Sequence, residues 1–143
     1  MNTKPISEVV FNLVLEYKFA IRAYLKESDL GVNGMHVKCL SFIQNVEHCT
    51  PNDIAVYFSR DKAQVARLIK EMINNQWLVK IPNPNDKRSH FLILTDQGTA
   101  LAKVVDQAQQ ALRIKMEKSV SEQEIEEFKR IANILKENLK QEI

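Results

Sequence analysis

Between Arg60 and Arg88 the sequence carries basic and amide side chains at spacings suited to a polyanion. Asp61 and Gln64 lie three residues apart, the arrangement in which a carboxylate caps a helix start and the later side chain returns a bond to the cap. Behind them Val65, Leu68, Ile69 and Met72 form an apolar helical stripe. Lys62, Ala63, Gln64, Ala66, Arg67 and Lys70 fall on the other faces. A helix has the width to enter a major groove and present side chains to base edges. Lys62 and Arg67 suit phosphates or guanine edges. Gln64 suits an adenine edge, because its amide can bond N6 and N7 together, although the capping box competes for it. Further on, Asp86-Lys87-Arg88 places an arginine where a charged tip can enter a minor groove, with Asp86 two residues earlier to orient it. The candidate DNA-contacting set is Arg60, Lys62, Ala63, Gln64, Arg67, Lys70, Lys87 and Arg88. For Lys80 and Lys87, phosphate contact and plain solvation remain equally open.

Catalysis finds little support. The chain has no GxSxG, HExxH, phosphate-binding loop or dinucleotide fingerprint. Glu122, Glu124, Glu126 and Glu127 read as a solvated helix face whose charge suits the helix start. The sequence calls for no cofactor and is read as a non-enzyme.

The elements that position these residues follow from periodicity. Ile6, Val9, Val10, Leu13, Val14, Tyr17, Ile21, Tyr24 and Leu25 recur at helical spacing over about Pro5 to Glu27, with Phe11, Leu15 and Phe19 off the stripe and free to meet a second partner. Asp29, Gly31 and Gly34 mark a loop, and Met35, Val37, Leu40, Ile43 and Val46 continue as a second helix to near His48. Thr50-Pro51-Asn52-Asp53 starts a short third helix, with Thr50 as N-cap and Pro51 at the first helical position. The basic helix from Asp61 comes next, completing a helix-turn-helix. Trp77 to Ile81 and His90 to Leu94 read as two strands around the turn-rich Pro82 to Arg88. Thr95 caps a helix of some 20 residues through Met116, and Ser121 to Glu124 form a capping box that opens the last helix.

The 143 residues fit one domain, with 45% hydrophobic and 27% charged side chains near the averages for folded proteins. Three glycines and four prolines leave little material for many hairpins, so long helices are expected. The net charge of +2 hides an asymmetry: residues 1–58 sum to −1, residues 59–90 to +4 and residues 91–143 to −1. A basic middle places any polyanion-binding surface there, although a chance cluster of solvated charge is the bland reading. No apolar run approaches the length needed to span a bilayer, and Met1 to Glu8 lack a secretion signal, so a cytoplasmic protein is expected. Cys39 and Cys49 are too few for a disulfide framework.

Asp61-Lys62 through Arg67-Leu68-Ile69, Trp77-Leu78-Val79, and Asn85 to Arg88 followed by Leu92, Leu94-Thr95 and Gly98 resemble the signature of the MarR (multiple antibiotic resistance regulator) family. The match of order and spacing runs over about residues 50 to 101, and the flanking helices fit the same layout. It departs at Trp77, where the family commonly has a glycine after a charged residue. The resemblance implies a winged-helix fold, a homodimer built from the first and last two helices, and repression or activation of genes. It also implies that Asp61 to Asn75 is the recognition helix and Arg88 the wing arginine. The fold expected is thus mainly α with a small β-hairpin wing, a winged helix-turn-helix flanked by long dimerisation helices. Residues 1–143 form a single domain in this reading, with 35–95 as the DNA-binding lobe and 5–27 and 96–141 as the dimerisation helices. Excess apolar surface on the terminal helices supports dimerisation separately, and a twofold dimer would favour a pseudo-palindromic duplex.

The resemblance also implies that release from DNA by a ligand, an oxidant or a metal is common in such proteins, so each kind of sensor has candidate residues here. Tyr17, Arg22, Tyr24, Met35 and His36 are candidates to line a small-molecule effector pocket, against the plainer role of core packing. Cys39 and Cys49 lack the electropositive, exposed setting of a reactive thiol. His36, His48, His90, Cys39, Cys49 and Glu47 are possible metal ligands, but Glu47-His48-Cys49 is contiguous, a poor spacing for zinc, and no metal is expected. The competing reading of the whole chain is a winged-helix protein-interaction adaptor with weak or no DNA binding.

Overall fold

The computed structural model describes residues 3–26 and 32–141. Its elements are α1 (Ile6–Lys26), α2 (Gly34–Asn45), α3 (Pro51–Phe58), α4 (Lys62–Asn74), β1 (Leu78–Pro82), β2 (His90–Leu94), α5 (Asp96–Met116) and α6 (Glu122–Lys140). The expectation of a mainly helical chain with one hairpin holds. Asp29, Gly31 and the expected helix end at Glu27 lie outside the described residues. The chain divides into two compact units, Met1–Gln109 and Gln110–Ile143.

Caps set the boundaries. Asn33 opens α2, accepting from the His36 backbone N–H at 2.9 Å, and the Asn33 N–H donates to His36 Nδ1 at 3.2 Å. The helix ends earlier than the sequence predicts, because β-branched Val46 leaves it in an extended conformation and His48 turns back with φ of 56°. At α3 the Thr50 hydroxyl accepts from Asp53 N–H at 3.1 Å, and Asp53 Oδ2 accepts from Thr50 N–H at 2.9 Å. Asp53 is therefore a capping partner as well as a first-turn anion. Ser59, left-handed at φ of 51°, stops α3 and lets the chain restart at Asp61. Asp61 Oδ1 accepts from Gln64 N–H at 2.8 Å, but the Gln64 side chain makes no return bond, so the box expected there is half formed.

In the first unit β1 and β2 pair antiparallel, with Leu78 opposite Leu94, Lys80 opposite Leu92 and Pro82 opposite His90. The strand begins one residue later than predicted. Trp77 is 5% exposed and serves as an anchor ahead of the strand. Side chains alternate across a hairpin, so its inner face carries Leu78 and Leu92 into the core, where α2 and α3 pack against β2 and α4 against β1. Val37, Leu40, Ile43, Ile54, Val65, Ile69 and Met72 complete that core. Leu68, expected in the buried stripe of α4, is only half-buried.

The hairpin and α4 are joined at one backbone junction. Gln76 follows the end of α4 at φ of 66°, in the left-handed region that favours glycine. The glycine-like conformation thus falls at Gln76, one residue before the departure read at Trp77. The Trp77 carbonyl accepts from Thr95 N–H at 2.9 Å, the Thr95 hydroxyl donates to the Gln76 carbonyl at 2.6 Å, and Thr95 Oγ1 accepts from Gly98 N–H at 2.9 Å as the cap of α5. Gly98 sits so close that a Cβ there would lie 2.0 Å from the Trp77 carbonyl oxygen.

On α1 only Ile21 and Leu25 are buried, while Ile6, Val9, Val10, Leu13 and Val14 of the predicted stripe are exposed together with Phe11 and Phe19. Within the first unit no described residue covers those first turns. In the second unit the capping box of Ser121 and Glu124 forms as predicted, at 2.9 and 3.1 Å, and no side chain of α6 is buried. Glu124 is held below the usual carboxylate range by the Ser121 backbone and hydroxyl bonds.

Both cysteines are core residues with fully buried side chains. Burial pushes the Cys39 thiol up to about 11, with Arg60 pulling slightly back. Burial pushes Cys49 up to about 12, reinforced by Asp53 and Cys39. An acid whose folded value lies above its unfolded one stabilises the fold below the unfolded pKa, and that contribution fades as pH rises towards the folded value.

Two outcomes are expected. Gly98→Ala should lower unfolding free energy by about 2–3 kcal/mol in urea titration, since the new methyl meets backbone that cannot yield. Urea stability should fall as pH rises from 8 to 10, and less steeply in a Cys39→Ala, Cys49→Ala double variant; parallel pH profiles would count against the thiol contribution.

Candidate nucleic-acid interface

The apolar stripe of α4 fixes which of its side chains face outward. With Val65, Ile69 and Met72 buried, Lys62, Ala63, Gln64, Ala66, Arg67 and Lys70 are all exposed. The half-formed cap leaves the Gln64 amide free of the competing role the sequence gave it. Arg60 lies in the turn before α4, exposed, with a guanidinium N–H 3.6 Å from the Met35 sulfur.

The hairpin tip is shaped by its own side chains. Asn83 Oδ1 accepts from Asn85 N–H at 2.9 Å, the Asn83 carbonyl from Asp86 N–H at 3.3 Å and the Asp86 carbonyl from Ser89 N–H at 3.2 Å. Asp86 Oδ1 then accepts from Arg88 N–H at 2.9 Å and stands 3.7 Å from Arg88 Nε. The aspartate thus orients both backbone and guanidinium, while the Arg88 side chain stays 95% exposed and Lys87 projects beside it. A charge held so far into solvent contributes little to folding, which leaves it free for an external anion.

Between α4 and the tip runs a groove of about 690 Å³. Thr50, Pro51 and Asn52 from the first turn of α3 close one end. Lys62, Ala66 and Ile69 form the wall of α4, and Lys80, Asp86, Arg88, Ser89 and His90 the wall of the hairpin. Three cations therefore face one channel. Lys80, left open by the sequence, lies in it, and His90 and Asn52 were missed. Strand alternation held the signal for His90: two residues beyond Arg88 and opposite Pro82, it lies on the hairpin face that carries Lys80.

The five residues expected around an effector do not converge. Met35 lines a cavity of about 250 Å³ with Ile54, Phe58, Arg60, Gln64, Val65, Arg67, Leu68 and Glu71, and the other four do not line it. Tyr17 sits under Lys38, whose Nζ is 5.6 Å from the ring centroid. Arg22 and Tyr24 are exposed on α1. His36 is buried, with Nε2 3.2 Å from Glu71 Oε2 and its ring edge-on to Trp77 at 5.1 Å. Among the described residues no three His, Cys, Asp or Glu side chains are grouped to hold a metal ion, and no helix is long and apolar enough to cross a membrane.

Comparison with known proteins agrees with this geometry. A family model described as MarR family matches residues 30–89. The HTH-type transcriptional regulator BilQ of Clostridioides difficile is 33% identical over 95 residues, covering 66% of this chain and 63% of that protein. The multiple antibiotic resistance protein MarR of Salmonella typhimurium is 26% identical over 97 residues, covering 68% of this chain and 66% of its own. The matches thus span just under two thirds of these relatives. Among solved structures, the S. aureus MepR–DNA complex superposes with a TM-score of 0.86 at 19% identity, covering 96% of this chain and 99% of that one. A mutant E. coli MarR complexed with operator DNA gives 0.81 at 23% identity, covering 92% and 93%. The likeness to both structures is one of fold, a helix-turn-helix followed by a β-hairpin wing and flanked by long helices. Over residues 30–89 the chain is similar to the MarR family.

Proposed function

We propose that the protein is a sequence-specific DNA-binding transcription regulator, acting as a homodimeric repressor on a pseudo-palindromic duplex in the cytoplasm and released by a small-molecule effector. The observation that carries this reading is the channel between α4 and the wing. It sets Lys62, Lys80 and Arg88 around one path, beside the outward face of α4 that presents Gln64 and Arg67. Lys62, Lys80 and Arg88 hold the duplex through phosphates, a contribution that fixes register without reading sequence. Gln64 and Arg67 read base edges, Arg60, Ala63 and Lys70 flank them, and Arg88 with Lys87 follows the adjacent minor groove. The names of BilQ as a transcriptional regulator and of the MepR and MarR structures as DNA complexes support the same reading. It assigns the protein no catalytic role.

Dimerisation is supported by the uncovered apolar side chains. Ile6, Val9, Val10, Phe11, Leu13 and Val14 are exposed on α1, and Phe128, Ile131, Ile134 and Leu139 on α6. Exposed patches of this extent mark interfaces. Two protomers related by a twofold axis set their recognition helices about 10 base pairs apart. For the effector, the reading moves to the cavity at Met35, whose lining joins apolar side chains to Arg60, Arg67 and Glu71, so that a small organic molecule with an anionic group bound there would occupy Arg67.

Fluorescence anisotropy against the protein's own upstream intergenic DNA and a scrambled duplex, at two salt concentrations, tests the reading. Selective, salt-dependent binding is expected, and no preference at either salt would favour the adaptor. Arg88→Ala should weaken binding to both duplexes and reduce the salt slope by about one per protomer. Arg67→Ala should cost about 1–3 kcal/mol on the preferred duplex and little on the scrambled one. Variants that bind like wild type would overturn these assignments.

A further inference from the structure

Arg67 has to be free to meet a base or a phosphate, yet a carboxylate lies one turn away on the same helix. Glu71 follows it by four residues, the spacing at which helix side chains pair, and both line the cavity of about 250 Å³ at Met35. Among the described residues neither Arg67 nor Arg60 carries an ion pair, and Glu71 is turned to His36, with 3.2 Å between Oε2 and Nε2. From these contacts we propose that His36 is a positioning residue, which keeps Arg67 free by holding the Glu71 carboxylate away from it. The inference rests on the DNA-binding reading above.

The chemistry of the ring defines the grip. The Asn33 backbone N–H can only donate, and it points at Nδ1 from 3.2 Å, so Nδ1 is the acceptor and Nε2 bears the proton. Nε2–H therefore donates to Glu71. Asn33 Oδ1 accepts from the His36 N–H at 2.9 Å, and Trp77 meets the ring at 78° and 5.1 Å, so the cap of α2 and the anchor of the wing fix the imidazole plane from two sides. His36 is 5% exposed, whereas the Glu71 side chain is 59% exposed. A buried donor set by the core thus restrains a solvent-facing acid that would otherwise turn towards Arg67 and compete with the duplex.

Two isosteric variants separate the two bonds. His36→Asn keeps an acceptor where Nδ1 stood and removes the donor to Glu71. His36→Gln places an amide where Nε2 stood and removes the cap acceptor. The probe is the duplex that wild-type protein enriches from a random 26-base-pair pool, with the scrambled duplex alongside. His36→Asn should weaken the enriched duplex about two- to threefold per recognition helix, or about four- to ninefold for two protomers. His36→Gln should bind near wild type even if its melting temperature falls. Glu71→Gln should restore binding to His36→Asn. In the protein without DNA, the Arg67 Nε–H resonance should shift in His36→Asn and return in the double variant. An unshifted resonance, or a His36→Asn defect that Glu71→Gln leaves in place, overturns the positioning role. Wild-type protein that enriches no duplex overturns the DNA reading instead, and the resonance still decides whether Glu71 reaches Arg67.

Discussion

The geometry of the interface depends on one close backbone approach, that of Gly98 to the Trp77 carbonyl. Because no Cβ intervenes, the first turn of α5 lies directly on Trp77, just beyond the end of α4. Thr95 closes the contact by donating its N–H to Trp77 and its hydroxyl to Gln76. The end of α4, the start of β1 and the start of α5 are thereby fixed to one another by backbone groups, whose geometry varies far less than that of side chains. The wing inherits its direction from this junction. The channel between α4 and the hairpin tip keeps its width only while the junction holds.

Much of this arrangement was legible in the sequence, for reasons particular residues make plain. The buried stripe of α4 follows helical periodicity and, apart from half-buried Leu68, lands where it was read, which in turn fixes the outward face. Thr50, Asp61 and Ser121 cap their helices because short polar side chains compete well for the unpaired N–H groups of a first turn. β2 matches residue for residue. What stayed hidden depended on distant partners. Gln76 adopts a glycine-like conformation only because Trp77 must turn inward beneath α5, and no local pattern announces that. Tyr17, Arg22, Tyr24, Met35 and His36 are near one another in sequence, yet the fold sends Met35 to a cavity, His36 to Glu71 and the tyrosines elsewhere. His90 reads in the sequence as the first residue of a strand and a possible metal ligand, and its place on the groove face depends on how the hairpin meets α4.

Charge in this chain is sorted by function rather than by stability. The ion pairs of α6, such as Glu127 with Arg130, are exposed and local, and add little to folding. Arg130 and Glu127 nonetheless pull each other's titration outward, the acid lowered and the guanidinium raised. Around α4 and the wing, among the described residues, Asp86 pairs with Arg88 while Arg60, Lys62, Arg67, Lys70, Lys80 and Lys87 form no ion pair, Glu71 being turned to His36. The core, by contrast, keeps its thiols neutral and its one buried histidine bonded on both ring nitrogens.

The wing tip has a consequence for the kinetics of encounter. Asn83 and Asp86 fold residues 83–89 back on themselves through four short-range bonds, so the loop holds its shape before any duplex arrives. Docking such a loop forfeits little backbone entropy, and the ordering cost falls on the Arg88 side chain, about 2 kcal/mol of rotamer freedom at most. A preformed tip can also be captured in a single collision, without waiting for a minor conformer to appear. On the proposed DNA-binding reading, association is governed by long-range attraction between the cationic channel and the duplex, and the lifetime of the complex by how tightly Arg88 is held once inside.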